Sequence, residues 1–282
     1  MERPSSPELG RRRPRRLRTV ALLPTLITLG NGVCGVMAIF KVGMALHGDR
    51  VEGNFQSAAW FILGGMVFDA LDGFAARMTR TTSTFGAMLD SLCDLVTFGV
   101  APGFLIFGLT RSADGPAFIR DQVIPAIGVL YAMCALIRLA RFTVETTPDE
   151  SSHREFAGLP SPAAAGIVAA AVLASMSKQM HEISMTSAIA GALPGLAFAS
   201  AVLMVSRVKY AHVINKLLRG KRRFVTLVEI GLAVTLVVIF REVAFFLAFL
   251  GYGMMGPLLW VKRRVVRKPA AAPAPEKDRN LP

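Results

Sequence analysis

The chain has 282 residues, of which 53% are hydrophobic and 18% charged, with a mean hydropathy of +0.49. Soluble domains carry about 25% charged residues, so this composition excludes an ordinary soluble globule and indicates one bundled integral membrane domain. The formal net charge of +13 argues for basic flanks resting on anionic lipid headgroups and against nucleic acid, because such clusters in a multi-span chain mark its cytoplasmic edges.

A span needs about 20 largely apolar residues, and eight runs qualify. Residues 1–18 form a Pro/Arg-rich tail that cannot build a core. The apolar run after it is too long for a signal peptide and lacks a small-residue cleavage site. The first span, 22–44, carries Thr28 and Asn31 on one face, where they either meet a substrate or hydrogen-bond a neighbouring helix. The second, 55–77, holds Asp69 and Asp72 near its end, and the third, 85–109, opens with Asp90 and Asp94. The fourth, 123–142, ends with Arg138 and Arg141, which either reach into a site or snorkel to the interface. His153 follows in a polar loop and reads as solvated.

The fifth span is expected over 159–177, its start shaped by Gly158, Pro160 and Pro162, since the residue before a proline avoids the helical region. The sixth covers 185–205. The basic segment 207–223 has the apolar spacing of an interfacial helix. Spans 224–240 and 243–261 are separated only by Arg241-Glu242, which predicts a tight antiparallel pair. Residues 265–282 form an Ala/Pro-rich tail, leaving 19–264 as the membrane domain. Cys34, Cys93 and Cys134 lie singly within apolar runs and read as small hydrophobes outside any disulfide framework. With the N-terminus cytoplasmic, 26 of the 32 Lys and Arg residues fall on the cytoplasmic side, which puts both termini there. The expected fold is an all-α polytopic membrane helix bundle of eight transmembrane helices.

The aspartates are the anomaly. A carboxylate at bilayer depth costs about 3 kcal/mol on insertion scales, and four together repel one another. Asp69 and Asp72 are three apart and Asp90 and Asp94 four apart, so each pair shares a helix face. A short connection makes the two helices antiparallel neighbours, and their acidic faces converge. Carboxylates suit Mg²⁺ or Mn²⁺, and one or two such ions would make a seat for a diphosphate. Gly73, Ala76 and Gly86 permit close approach to the backbone. Arg77 can pair with a phosphate or with one of the aspartates. One carboxylate can act as general base for an attacking hydroxyl. The bland reading is a polar lining between helices. The sharper rival is a cation transporter, whose sites tend to lie nearer the midplane.

Asp69 to Asp94 reads D-x-x-D-G-x-x-A-R-x8-G-x3-D-x3-D, and this pattern resembles the signature of the CDP-alcohol phosphotransferases position for position. The stretches LPTLITLGNGVCGVMAI, DSLCDLVTFGVAPG, IRLARF and FAGLPSPAAAG are similar to one branch of that family, the bacterial membrane phosphatidylserine synthases. Thr25 departs from it, standing where the family commonly has Asn. The resemblance implies that Asp69, Asp72 and Asp90 are metal ligands. Asp94 becomes the catalytic base and a possible further ligand. Asp72, Gly73, Ala76, Arg77 and Gly86 line the nucleotide and diphosphate site. It further implies two ions of Mg²⁺ or Mn²⁺, CDP-diacylglycerol and L-serine as substrates, membrane lipids as surroundings, and a homodimer in a bacterial inner membrane with its active site facing the cytoplasm. The same chemistry on glycerol 3-phosphate or inositol is the alternative within the family. Arg138, Arg141, Thr28 and Asn31 are the candidates for contacts to acceptor or phosphate.

Overall fold

The computed structural model describes residues 16–79, 84–111, 116–145, 158–177, 186–208 and 241–266. Every regular element among them is helical: α1 (Arg16–Leu46), α2 (Val51–Thr79), α3 (Thr84–Asp94), α4 (Ala101–Arg111), α5 (Ile124–Glu145), α6 (Ser161–Ser175), α7 (Thr186–Val205) and α8 (Arg241–Val266). A π-helical segment, Leu95–Val100, joins α3 to α4, and a second, Ile119–Val123, leads into α5. The all-α expectation therefore holds over the described residues. Six stretches are long and apolar enough to cross a bilayer: Pro24–Leu46, Val51–Ala75, Thr84–Thr110, Ile119–Thr143, Ser187–Val205 and Arg241–Val261. The expected span 224–240, most of the basic segment 207–223, and His153 lie outside the described residues.

Residues 159–177 differ from expectation. They form a helix of only 15 residues, Ser161–Ser175, about 22 Å long against the ~30 Å of a hydrocarbon core. The chain stays out of the helix until Pro160 because Gly158 and Leu159 are tied to the end of α7. The Gly158 N–H donates to the Val208 carbonyl at 2.9 Å and the Leu159 N–H to the Leu203 carbonyl at 3.0 Å. Gly158 has φ +93°, and a Cβ there would collide with the Met204 carbonyl oxygen, so only glycine suits this position. From Ala164 to Ser175 every residue of α6 is buried, enclosed mainly by α2, α7 and α8. Short, rich in alanine and enclosed on all sides, α6 is the core of the bundle.

Lipid tails are as apolar as these side chains, so helix association here depends on close packing. Gly103 and Gly128 show it where α4 meets α5: a Cβ on either would lie 2.6–2.7 Å from the other's carbonyl oxygen. α1 and α2 form an antiparallel hairpin and make the most extensive helix pair among the described residues. The first half of α1, the end of α2 and the start of α3 therefore share one end of the molecule.

Candidate functional site

At that shared end the four aspartates come together. α2 presents Asp69 and Asp72 from successive turns, and α3 does the same with Asp90 and Asp94. Asp69, Asp72 and Asp90 each offer one carboxylate oxygen, and these three atoms all lie within 4.8 Å of one another. Asp94 is not in that triad. It is buried at the last turn of α3, within the field of the other three carboxylates, and Asn31 donates its Nδ2–H to Asp94 Oδ1 at 2.8 Å.

Asn31 is itself fixed. It is wholly buried in α1, and its carbonyl accepts the Thr97 hydroxyl at 2.9 Å. Thr97 belongs to the π-helical segment that begins directly after Asp94. A Cβ on Gly65 would stand 2.5 Å from Thr97 Cγ2 and 2.9 Å from Asn31 Oδ1, so α2 passes this group with no space for a side chain. The second reading of Asn31 therefore applies: it hydrogen-bonds a neighbouring helix, and it does so through one of the four aspartates. Thr28 is buried one turn earlier, donates its hydroxyl to the Pro24 carbonyl at 3.0 Å, and lies against Asp72.

Asp72 Oδ2 and Asp90 Oδ1 are buried without a hydrogen-bond partner, and the described ion pairs, Arg120–Asp121 and Arg241–Glu242, involve none of the four aspartates. Buried carboxylates left in that state are costly. A hard divalent cation fits the set, since such ions take carboxylate oxygens and neutralise them together. Gly73 and Gly86 are half-buried beside the cluster on α2 and α3. Ala76 and Arg77 belong to the last turns of α2, and their side chains lie outside the described part of the structure.

The two arginines of α5 separate. Arg141 is exposed and is not brought to the cluster. Arg138 points inward: it donates from Nη1 to Ser161 Oγ at 2.8 Å, and its Nε is buried without a partner. Its guanidinium is in electrostatic reach of Asp94 and of Tyr252 on α8. Sequence reasoning passed over Ser161 and Tyr252. A hydroxyl between two prolines at the start of an apolar helix was the available signal for Ser161; nothing around Tyr252 distinguishes it from a lipid-facing aromatic residue.

The family model for CDP-alcohol phosphatidyltransferases matches residues 21–203, a range that includes all four aspartates, Arg138 and Ser161. Among curated proteins, the chain is 33% identical over 194 residues to a CDP-diacylglycerol–serine O-phosphatidyltransferase of Bacillus subtilis, covering 67% of this chain and 90% of that one. It is 31% identical over 241 residues to the protein of the same name from Helicobacter pylori strain J99, covering 85% and 91%. It is 28% identical over 201 residues to an archaetidylserine synthase of Methanothermobacter thermautotrophicus, covering 71% and 73%.

Proposed function

The chain belongs to the CDP-alcohol phosphatidyltransferase family, and from that premise we propose that it transfers the phosphatidyl group of CDP-diacylglycerol to the hydroxyl of L-serine, giving phosphatidylserine and CMP. The observation that carries the reading is the convergence of Asp69, Asp72 and Asp90 within 4.8 Å, beside an Asp94 held by Asn31. Serine as acceptor is supported by the names of relatives that align over most of their own length.

Asp69, Asp72 and Asp90 would hold Mg²⁺ or Mn²⁺, and Asp94 would serve as a further ligand if a second ion binds. When bound, the metal neutralises the diphosphate and the charge that develops on the leaving CMP. Gly73 and Gly86 line the bed for the nucleotide and diphosphate, the family resemblance assigns Ala76 and Arg77 to the same bed, and Thr28 closes it from α1 beside Asp72. Asn31 occupies Asp94 Oδ1 and leaves Oδ2 to accept the proton of the serine hydroxyl. The serine oxygen then attacks the phosphorus that bears the diacylglycerol, its bond to CMP breaks, and CMP departs. Arg138 faces the acceptor; Arg141, on the surface, is assigned to lipid headgroups.

The reading extends to a multi-pass protein of the bacterial inner membrane, both termini and the site on the cytoplasmic side, supported by the 26 of 32 basic residues that fall there. Assembly as a homodimer is supported by the family resemblance alone. The test is CMP release by membranes containing the chain, supplied with CDP-diacylglycerol and labelled L-serine. Release that requires serine and stops on chelation of divalent metal is the expected result. Release driven by glycerol 3-phosphate or inositol but not by serine would overturn the choice of acceptor.

A further inference from the structure

We propose that Ser161 is a positioning residue that sets the Arg138 guanidinium to receive the carboxylate of the acceptor. The proposal rests on the reading of the acceptor as serine and deepens it. Serine differs from simpler alcohols by a carboxylate and an ammonium, and a guanidinium matches a carboxylate through two parallel N–H bonds. Arginine offers two such edges, and its long stem leaves open which one faces the ligand.

Here two observations single out one edge. One of the two Nη1 N–H groups is given to Ser161 Oγ at 2.8 Å, which favours the side-on edge made by Nε and Nη2 for a ligand. Nε is buried and has no hydrogen-bond partner, a state that an arginine donor is not expected to keep once the site is filled. Asp94, the proposed proton acceptor, lies within electrostatic reach of this same guanidinium. An acceptor held by its carboxylate at Arg138 can therefore turn its hydroxyl toward Asp94.

Ser161 suits the role because its surroundings hold it in place. It is wholly buried, so water does not compete for its hydroxyl. The segment before it is fastened to the end of α7 through the Gly158 and Leu159 N–H groups, and the first backbone bond of α6, Ala164 N–H to the Pro160 carbonyl, closes at 3.0 Å. The position of α7 is thereby passed through three residues to one guanidinium.

The experiment uses the full chain in lipid-containing micelles with divalent metal, CDP-diacylglycerol, and either L-serine or serinol, which lacks the carboxylate. Ser161→Ala is expected to raise the KM for L-serine by about tenfold or more, the scale of a hydrogen bond to a charged group. The KM for CDP-diacylglycerol should stay near that of the unaltered chain, and the preference for L-serine over serinol should fall by the same factor. Ser161→Thr, which keeps the hydroxyl, should restore most of it. An unchanged serine KM in Ser161→Ala would overturn the proposal. So would a rise in both KM values together with a lowered melting temperature, which is what a purely structural role produces. If the unaltered chain releases CMP only with a different alcohol, the acceptor reading and this proposal fall together; if it uses serine and Ser161→Ala is indifferent, this proposal falls alone.

Discussion

Asp94 stands outside the triad of Asp69, Asp72 and Asp90 and is held by a buried amide of α1. Asp72 and Asp90 each keep a buried oxygen without a partner, as expected of ligands to an ion. One oxygen of Asp94 is taken by Asn31, as expected of a base that must be held in one rotamer. Asp94→Asn is therefore expected to lower kcat by about 10²–10⁴-fold, the usual range for a general base, while CDP-diacylglycerol binding measured by equilibrium titration is retained. Near-normal turnover would remove Asp94 from that role. Asn31→Leu should lower kcat by about 10–100-fold, because a hydrogen bond to a charged group contributes ~1.5–3 kcal/mol, with less effect on the KM for either substrate. A loss confined to substrate KM would instead make Asn31 a substrate contact. The four aspartates were legible in the sequence because charge in an apolar run is conspicuous and helix spacing fixes which residues share a face. The bond between Asn31 and Asp94 was not, since 63 positions separate them and only the packing of α1 on α3 joins them.

Elements were legible to the extent that hydropathy encodes them. The runs behind α1, α2, α5, α7 and α8 each appear as a helix close to where apolar length places it. Two departures come from packing, to which hydropathy is blind. α6 has the apolar character of a span but stops at 15 residues, because hydrogen bonds to α7 hold its leading residues extended. The π turn after Asp94 is not marked in LVTFGV, because its Thr97 and Gly99 are small residues of the kind that ordinary membrane-helix contacts also use; it nevertheless sets Thr97 against Asn31, and π turns recur at functional sites. The crossing of α4 and α5 gives a direct test of packing by small residues. Gly103→Val must push a side chain into the Gly128 backbone, 2.6 Å from the would-be Cβ, and should destabilise the protein by about 1–3 kcal/mol, the usual cost of overpacking. Gly43 lies in α1 with nothing within 4 Å of its would-be Cβ. Gly43→Ala should be neutral or stabilising by up to ~1 kcal/mol through helix propensity. Thermal unfolding in one detergent compares the pair, and equal melting temperatures would show that the glycine contact does not govern this crossing.

At the scale of the whole molecule, charge distribution and site geometry make one joint claim. The aspartates occupy the end of α2 and the start of α3, while the turn of His47 to Arg50 between α1 and α2 lies at the opposite end of the same hairpin. If most basic residues mark the cytoplasm, the carboxylates open toward the compartment that holds L-serine and divalent metal, and His47 lies on the far side. The reverse orientation would leave 26 of 32 Lys and Arg residues outside and the site facing away from its soluble substrate. Single cysteines at His47 and at the exposed Thr84, in a chain with Cys34, Cys93 and Cys134 replaced by serine, distinguish the two. An impermeant thiol reagent added to intact cells stripped of their outer layers should label position 47 and spare 84, and inverted vesicles should reverse the pattern. Labelling of 84 from the outside would overturn the orientation while leaving the helix packing and the carboxylate triad as described.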